Sequence, residues 1–209
     1  MKPLITKAFI FTCLLAATHV AQAQQDYIIT NAGDSIACKI TTPFMGAAKY
    51  KKDGMAESKK ILPEEIREYC ITRKKVAYRA VVVAANQRFG FLPLIEKGKI
   101  NLYEMIYTST GFNGQAGYSS KVYYVSKGSD TVNELKTSSL FSSRSRQARK
   151  DDFKEMIKDN KTVYNKYMAE NSFSFERIRN LIHLYNTGKV LYEDLKPEPE
   201  SEGFNPNGN

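Results

Sequence analysis

A chain of 209 residues carries 31 Lys and Arg against 22 Asp and Glu, a formal charge of +9. Hydrophobic residues make up 42%, with 13 Tyr, 11 Phe and no Trp, which excludes a disordered, collagenous or membrane-embedded chain. The composition is that of a globular protein, and it names no reaction.

The first predicted element is a leader. Lys2 and Lys7 precede an apolar run from Ala8 to Val20, and Ala21-Gln22-Ala23 follows. A positive start, a short apolar core and an A-x-A site are the parts of a secretory signal peptide, here residues 1–23 with cleavage after Ala23. The run falls short of the 20 or so apolar residues that span hydrocarbon. Cys13 lies mid-run behind Thr12 and Phe11, so it reads as an apolar member of the leader and not as a lipid-anchoring cysteine. Of the later segments, Val76 to Ala85 is the most apolar and contains Arg79, so no transmembrane helix is expected in the mature chain.

Residues 24–143 read as a β-rich domain. Tyr27-Ile28-Ile29-Thr30, the turn residues Asn31 to Asp34 and the alternating run Ser35 to Thr42 predict a hairpin that Pro43 ends. Asp53-Gly54 predicts a tight turn with both central residues at positive φ. Leu62 to Ile66 predicts one helical turn opened by Pro63. Strands are expected at Tyr69–Thr72 and Val76–Ala84, the second apolar on both faces and therefore central. Further hairpins are expected at Phe89–Ile95 with Lys99–Tyr107 and at Val122–Val125 with Thr131–Leu135.

The periodicity changes near Ser143, and residues 144–190 read as helices packed on the sheet. Ala148 to Asp159 places Phe153, Met156 and Ile157 on one stripe, and Val163, Tyr164, Tyr167 and Met168 mark a second short helix. Ser174 caps a third, which lines up Phe175, Ile178, Leu181, Ile182 and Tyr185 and stops at Asn186 and Gly188. Residues 191–209 form a proline- and glutamate-rich tail expected to be disordered. The fold class is α+β: a mainly antiparallel, curled or barrel-like sheet followed by a C-terminal helical segment.

Reactive groups are sparse. His183 is the single histidine of the mature chain and reads as a solvated residue on the polar side of the last helix, so a His-dependent nucleophile has little to build on. No C-x-x-C and no second His serve a zinc site, no acidic loop serves calcium, and no metal or cofactor is expected. Asp151-Asp152 reads as a charge pair at a helix N-terminus. Gly111 to Gly117 (GFNGQAG) lacks the helix a phosphate loop needs and reads as a hairpin tip. Glu64, Glu65, Glu68, Glu96 and Glu104 read as exposed charges.

An exported protein meets an oxidising compartment, which permits a Cys38–Cys70 disulfide. Strand alternation opposes it: Cys38 shares a buried face with Ile36 and Ile40, while Cys70 shares a wetter one with Glu68 and Thr72. The strongest surface feature is the basic stretch Arg144, Arg146, Arg149 and Lys150, a candidate contact for an anionic surface such as lipid headgroups or acidic polysaccharide. Nucleic acid is excluded as a partner by export and by the missing aromatic interleaving.

Gly33-Asp34-Ser35-Ile36 after the first strand, Gly98-Lys99-Ile100-Asn101-Leu102-Tyr103, Tyr123-Tyr124-Val125 and a last helix closing on Tyr185-Asn186 occur in that order. In this the chain resembles small exported proteins of Bacteroidota that are uncharacterised in function. The resemblance spans about Asp26 to Gly188; it implies a compact exported domain and brings no catalytic residue. The expectation is an exported cell-envelope protein, periplasmic or associated with the outer membrane, that acts as a noncatalytic binding or scaffolding module. The alternatives are an envelope hydrolase using carboxylates and a peripheral protein held on anionic surfaces by the basic stretch.

Overall fold

The computed structural model describes residues 25–44, 46–109, 117–138, 144–170 and 172–192. The expected leader with its Ala23 site, Cys13, the glycine loop up to Ala116 and the tail from residue 193 lie outside the described residues.

Among the described residues, eleven strands, one 3-10 turn at Thr72–Lys74 and three α-helices follow one another. The strands are β1 (Tyr27–Thr30), β2 (Ser35–Ala37), β3 (Lys39–Thr41), β4 (Lys49–Lys51), β5 (Lys59–Lys60), β6 (Ile66–Ile71), β7 (Val76–Val83), β8 (Arg88–Glu96), β9 (Ile100–Ser109), β10 (Tyr118–Lys127) and β11 (Thr131–Thr137). The helices are α1 (Arg146–Ile157), α2 (Lys161–Glu170) and α3 (Phe175–Thr187). The main sheet has the order β11-β10-β9-β8-β7-β6-β1-β2, and β11 also pairs with β7. That pairing, Thr131 with Val82 and Val132 with Val83, is parallel and closes β7 to β11 into a five-stranded barrel. Closure satisfies backbone groups that an open sheet would leave at its edges. The other pairings are antiparallel, so the α+β, barrel-like expectation holds.

The chain divides into two compact units, one ending at Val81 and including Phe89–Pro93, the other comprising Val82–Arg88 and the chain from Leu94. The first unit buries Ile28, Cys38, Ile61, Ile66, Tyr69 and Ile71 in a core of its own. Tyr69 stacks on Tyr78 at 4.7 Å between ring centroids and meets Phe91 edge-on at 5.0 Å. Separate cores are why the continuous β-rich stretch read from the sequence is not one unit. At Cys38 the strand changes sheets, since β2 pairs with β1 while β3 pairs with β4. The Asp26 carboxylate braces this switch by accepting from the backbone N–H of Ile40 at 3.0 Å and of Thr72 at 2.9 Å. The Asp53-Gly54 turn is closed by Met55 N–H on the Lys52 carbonyl at 3.1 Å, with φ positive at Gly54 and not at Asp53. It is therefore a turn of the type II kind within a longer loop, not the expected two-residue hairpin.

In the second unit the helices cover one side of the sheet. α1 lies on β11, α3 lies on β9, and α2 touches both helices. Ser145 Oγ accepts from Ala148 N–H at 3.1 Å, starting α1 two residues earlier than the stripe predicts. Ser174 Oγ accepts from Arg177 N–H at 3.2 Å, and Gly188 at φ 75° returns its N–H to the Leu184 carbonyl, so α3 starts and stops as expected. Ile178, Leu181 and Ile182 of α3 are fully buried against Ile100, Leu102, Tyr123 and Val125 of the sheet. Each such side chain contributes on the order of 2 kcal/mol.

Candidate binding surface

The three-stranded sheet β3-β4-β5 has two unlike faces. Ile40 pairs with Tyr50, and both pack on the core of the first unit. Alternation turns their neighbours outward, where Lys39 stands opposite Lys51, Thr41 opposite Lys49, and Lys49 opposite Lys60. Side chains directly opposite across an antiparallel pair lie about 5 Å apart at Cβ, and like charges there repel. All four lysines are exposed. Among the described residues none of them forms an ion pair; Lys51 donates to the Ala56 carbonyl at 3.0 Å. The acids between Lys51 and Lys60, Asp53 and Glu57, lie in the β4–β5 loop at the far end of β4. At the near end, the loop from β3 to β4 carries Phe44, which is fully exposed.

Beside this face, a cleft of about 560 Å³ in the same unit is lined by Lys39, Arg73 and Lys74 together with Asp26 and Cys38. Asp26 is half-buried and accepts one backbone N–H on each oxygen, so the cleft sets three cations against one carboxylate. Neither cysteine is bridged. Ala37, Tyr27 and Cys70 lie in register on β2, β1 and β6, so the cysteines stand two strand spacings apart, about 9.6 Å, beyond disulfide reach. Cys70 is half-buried, and its neighbour Glu68, expected to be exposed, is buried opposite Arg79 on β7 and accepts from the Tyr27 hydroxyl at 3.5 Å. Burial, with Cys70 and Glu68 nearby, pushes that hydroxyl up to about 12.

Burial and the Asp26 carboxylate push the Cys38 thiol up to about 11. Below the ordinary thiol value of about 8.5 both the folded and unfolded chains keep this proton, and its contribution to stability is complete. Above it the unfolded chain loses the proton first, so that contribution declines as pH rises toward the folded value. At pH 8 the folded thiolate fraction is roughly one in a thousand, so iodoacetamide should alkylate Cys38 about 100-fold more slowly in the native protein than in urea. Equal rates in the two states, read by peptide mass, would refute the burial.

A cluster of ionisable groups lies in the second unit. Glu96, at the end of β8, has a side chain only 11% exposed, and it accepts from Arg179 Nε at 2.8 Å and meets His183 Nδ1 at 2.9 Å. Sequence reading places Glu96 and His183 in solvent; the structure corrects this, because α3 lies beside the end of β8. Burial works against the Arg179 charge, but the carboxylate outweighs it and holds the guanidinium above its ordinary value. A carboxylate on Nδ1 orients an imidazole as in nucleophilic enzymes. Here a cation occupies the other carboxylate oxygen, and no hydroxyl or thiol is bonded to the ring among the described residues, so the cluster works as a clamp between α3 and β8.

The basic stretch is not the surface it was expected to be. Arg149 is buried on the α1 stripe with Phe153 and Ile157, and its Nη1 donates to Glu134 at 3.1 Å and to the Arg144 carbonyl at 2.7 Å. Arg144 is ion-paired with Asp152, whereas Arg146 is exposed and Lys150 half-buried. Asp151 accepts from Gln147 at 3.0 Å; it and Asp152 sit beyond the first turn, not at the N-terminus. A groove of about 380 Å³ gathers three carboxylates, those of Glu134, Asp152 and Glu155. Each faces a cation, namely Arg149, Arg144 and Lys158, so these carboxylates serve as counterions. Glu104 pairs with Lys121 at 3.1 Å, and Glu64 and Glu65 are exposed as expected.

Alternation in Lys39-Ile40-Thr41 and Lys49-Tyr50-Lys51 is the signal that finds the lysine face, but only once the two runs are placed side by side. The fold defines an α+β protein with a small closed barrel and a separate basic sheet. Compared with family models, curated proteins and solved structures, the chain matches none of them. Among the described residues, no group of three metal-ligating side chains occurs and no helix is long and apolar enough to cross a membrane.

Proposed function

We propose that the protein is an exported, noncatalytic binding module of the cell envelope that engages an anionic partner through the outer face of β3-β4-β5. The carrying observation is the set of directly opposed, uncompensated lysines. In the free protein this arrangement costs stability; a polyanion laid across it removes that cost. The internal ion pairs of the second unit support the same reading, because its buried charges are engaged in holding elements together.

Dextran sulfate titrated into the protein should bind with an affinity that falls steeply with salt. Lys49→Glu/Lys60→Glu should lower affinity at least tenfold and shrink the log–log salt slope by roughly 0.9 per lost contact. An unchanged slope in that variant would remove the face from consideration. Export has its own readout: protein recovered from the envelope fraction should begin at Gln24.

A further inference from the structure

We infer that the partner of the β3-β4-β5 face is the surface of an anionic phospholipid bilayer, with Phe44 entering the interface. This deepens the proposed function and rests on that face being a binding surface. The first observation is geometric. Lys39, Lys49, Lys51 and Lys60 project from one side of a short, nearly square sheet. A flat patch of charge suits a flat array of headgroups, whereas a deep, enclosed site suits a small ligand.

The second observation separates a bilayer from a soluble polyanion. Phe44 is fully exposed on the loop leaving β3, at the end of the sheet away from Asp53 and Glu57. An exposed phenyl ring beside a lysine cluster sets an apolar group next to basic ones, and the headgroup–acyl boundary of a bilayer offers an anionic and an apolar phase side by side. At a bilayer the ring reaches the headgroup–acyl boundary while the lysines stay at headgroup level, their stems lying along apolar surface. Basic side chains attract the anionic leaflet, and one aromatic anchor adds an apolar signal; two weak signals together give stable attachment.

The cleft beside the sheet supplies the third. Lys39, Arg73 and Lys74 border it, and Asp26 within it is already bound to two backbone N–H groups. A phosphate headgroup drawn out of the plane therefore meets three cations and one carboxylate, a net positive site. The charges on this unit include opposing ones: Asp53 and Glu57 beyond β4, and Glu64 and Glu65 ahead of β6, all exposed. They lie in loops and turns, outside the three strands that carry the lysines.

The test is co-sedimentation of the full chain with phosphatidylcholine vesicles and with vesicles in which 30% of the lipid is phosphatidylglycerol. Wild-type protein should pellet preferentially with the anionic vesicles, and 0.5 M NaCl should release that excess. Lys49→Glu/Lys60→Glu should abolish it, and Phe44→Ser should weaken partitioning about tenfold. Both changes fall on exposed side chains, so circular dichroism should be unchanged. Arg146→Glu should leave partitioning at the wild-type level. Retained anionic-vesicle binding in Lys49→Glu/Lys60→Glu, or wild-type behaviour of Phe44→Ser, overturns the inference. Dextran sulfate binding without vesicle binding overturns it too but preserves the binding module, whereas failure of both removes both.

Discussion

Gly98→Ala is expected to destabilise the protein by about 3 kcal/mol, and Asn186→Ala by a similar amount. A Cβ at position 98 would lie 2.3 Å from Asn186 Cγ and within 2.7 Å of both its amide atoms. That amide cannot stay where it is. From the end of α3 it accepts the backbone N–H of Ile100 at 3.0 Å and donates to the Ile100 carbonyl at 2.7 Å, acting as a one-residue extension of the sheet. Ile100 is fully buried, so displacing Asn186 orphans a donor and an acceptor, each at about 1–3 kcal/mol. The double variant has no clash left to relieve and should be about as stable as Asn186→Ala alone. Urea midpoints for the four proteins give the answer, and additive losses would mean that the contact is not the cause.

Arg149→Met is expected to cost about 3–4 kcal/mol, because it leaves Glu134 without the buried guanidinium facing it and frees the Arg144 carbonyl. Arg149→Met/Glu134→Leu should recover most of the loss, since an apolar pair in place of a buried ion pair is often neutral. Thermal unfolding in a matched series distinguishes this from a surface role, under which Arg149→Met would leave the melting temperature unchanged. The same series guards the interpretation of binding data. A charge change at Arg149 that weakens anion binding would do so through the fold, whereas Lys49 and Lys60 stand clear of any core.

Local chemistry made much of this architecture legible. Ser174 and Gly188 bracket α3 because a cap and a left-handed stop are written in single residues. The hairpins follow from turn residues beside alternating runs, and β7 reads as central because both its faces are apolar. Pairings distant in sequence carry no such mark. Nothing local joins Thr131 to Val82, so closure of the sheet is invisible in the sequence, although its curled character is not. Glu96 reads as exposed because Arg179 and His183, which engage it, are more than 80 positions away. Arg149 is the instructive miss. It precedes Phe153 by four and Ile157 by eight, on the buried stripe, and its charge concealed what its spacing declared. Glu68 reads as exposed for the same reason, its charge standing in for its position, although it is buried on β6 opposite Arg79.

The return of the last strand to β7 also orders events during folding. The hairpins β8–β9, β9–β10 and β10–β11 join neighbours in the chain, whereas Val82 and Val83 wait for residues about fifty positions downstream. Loop entropy makes that junction late and the meander early. The two ends of the ring therefore meet only after everything between them is in place, and the seam between β11 and β7 is the first place where a loosened molecule can come undone.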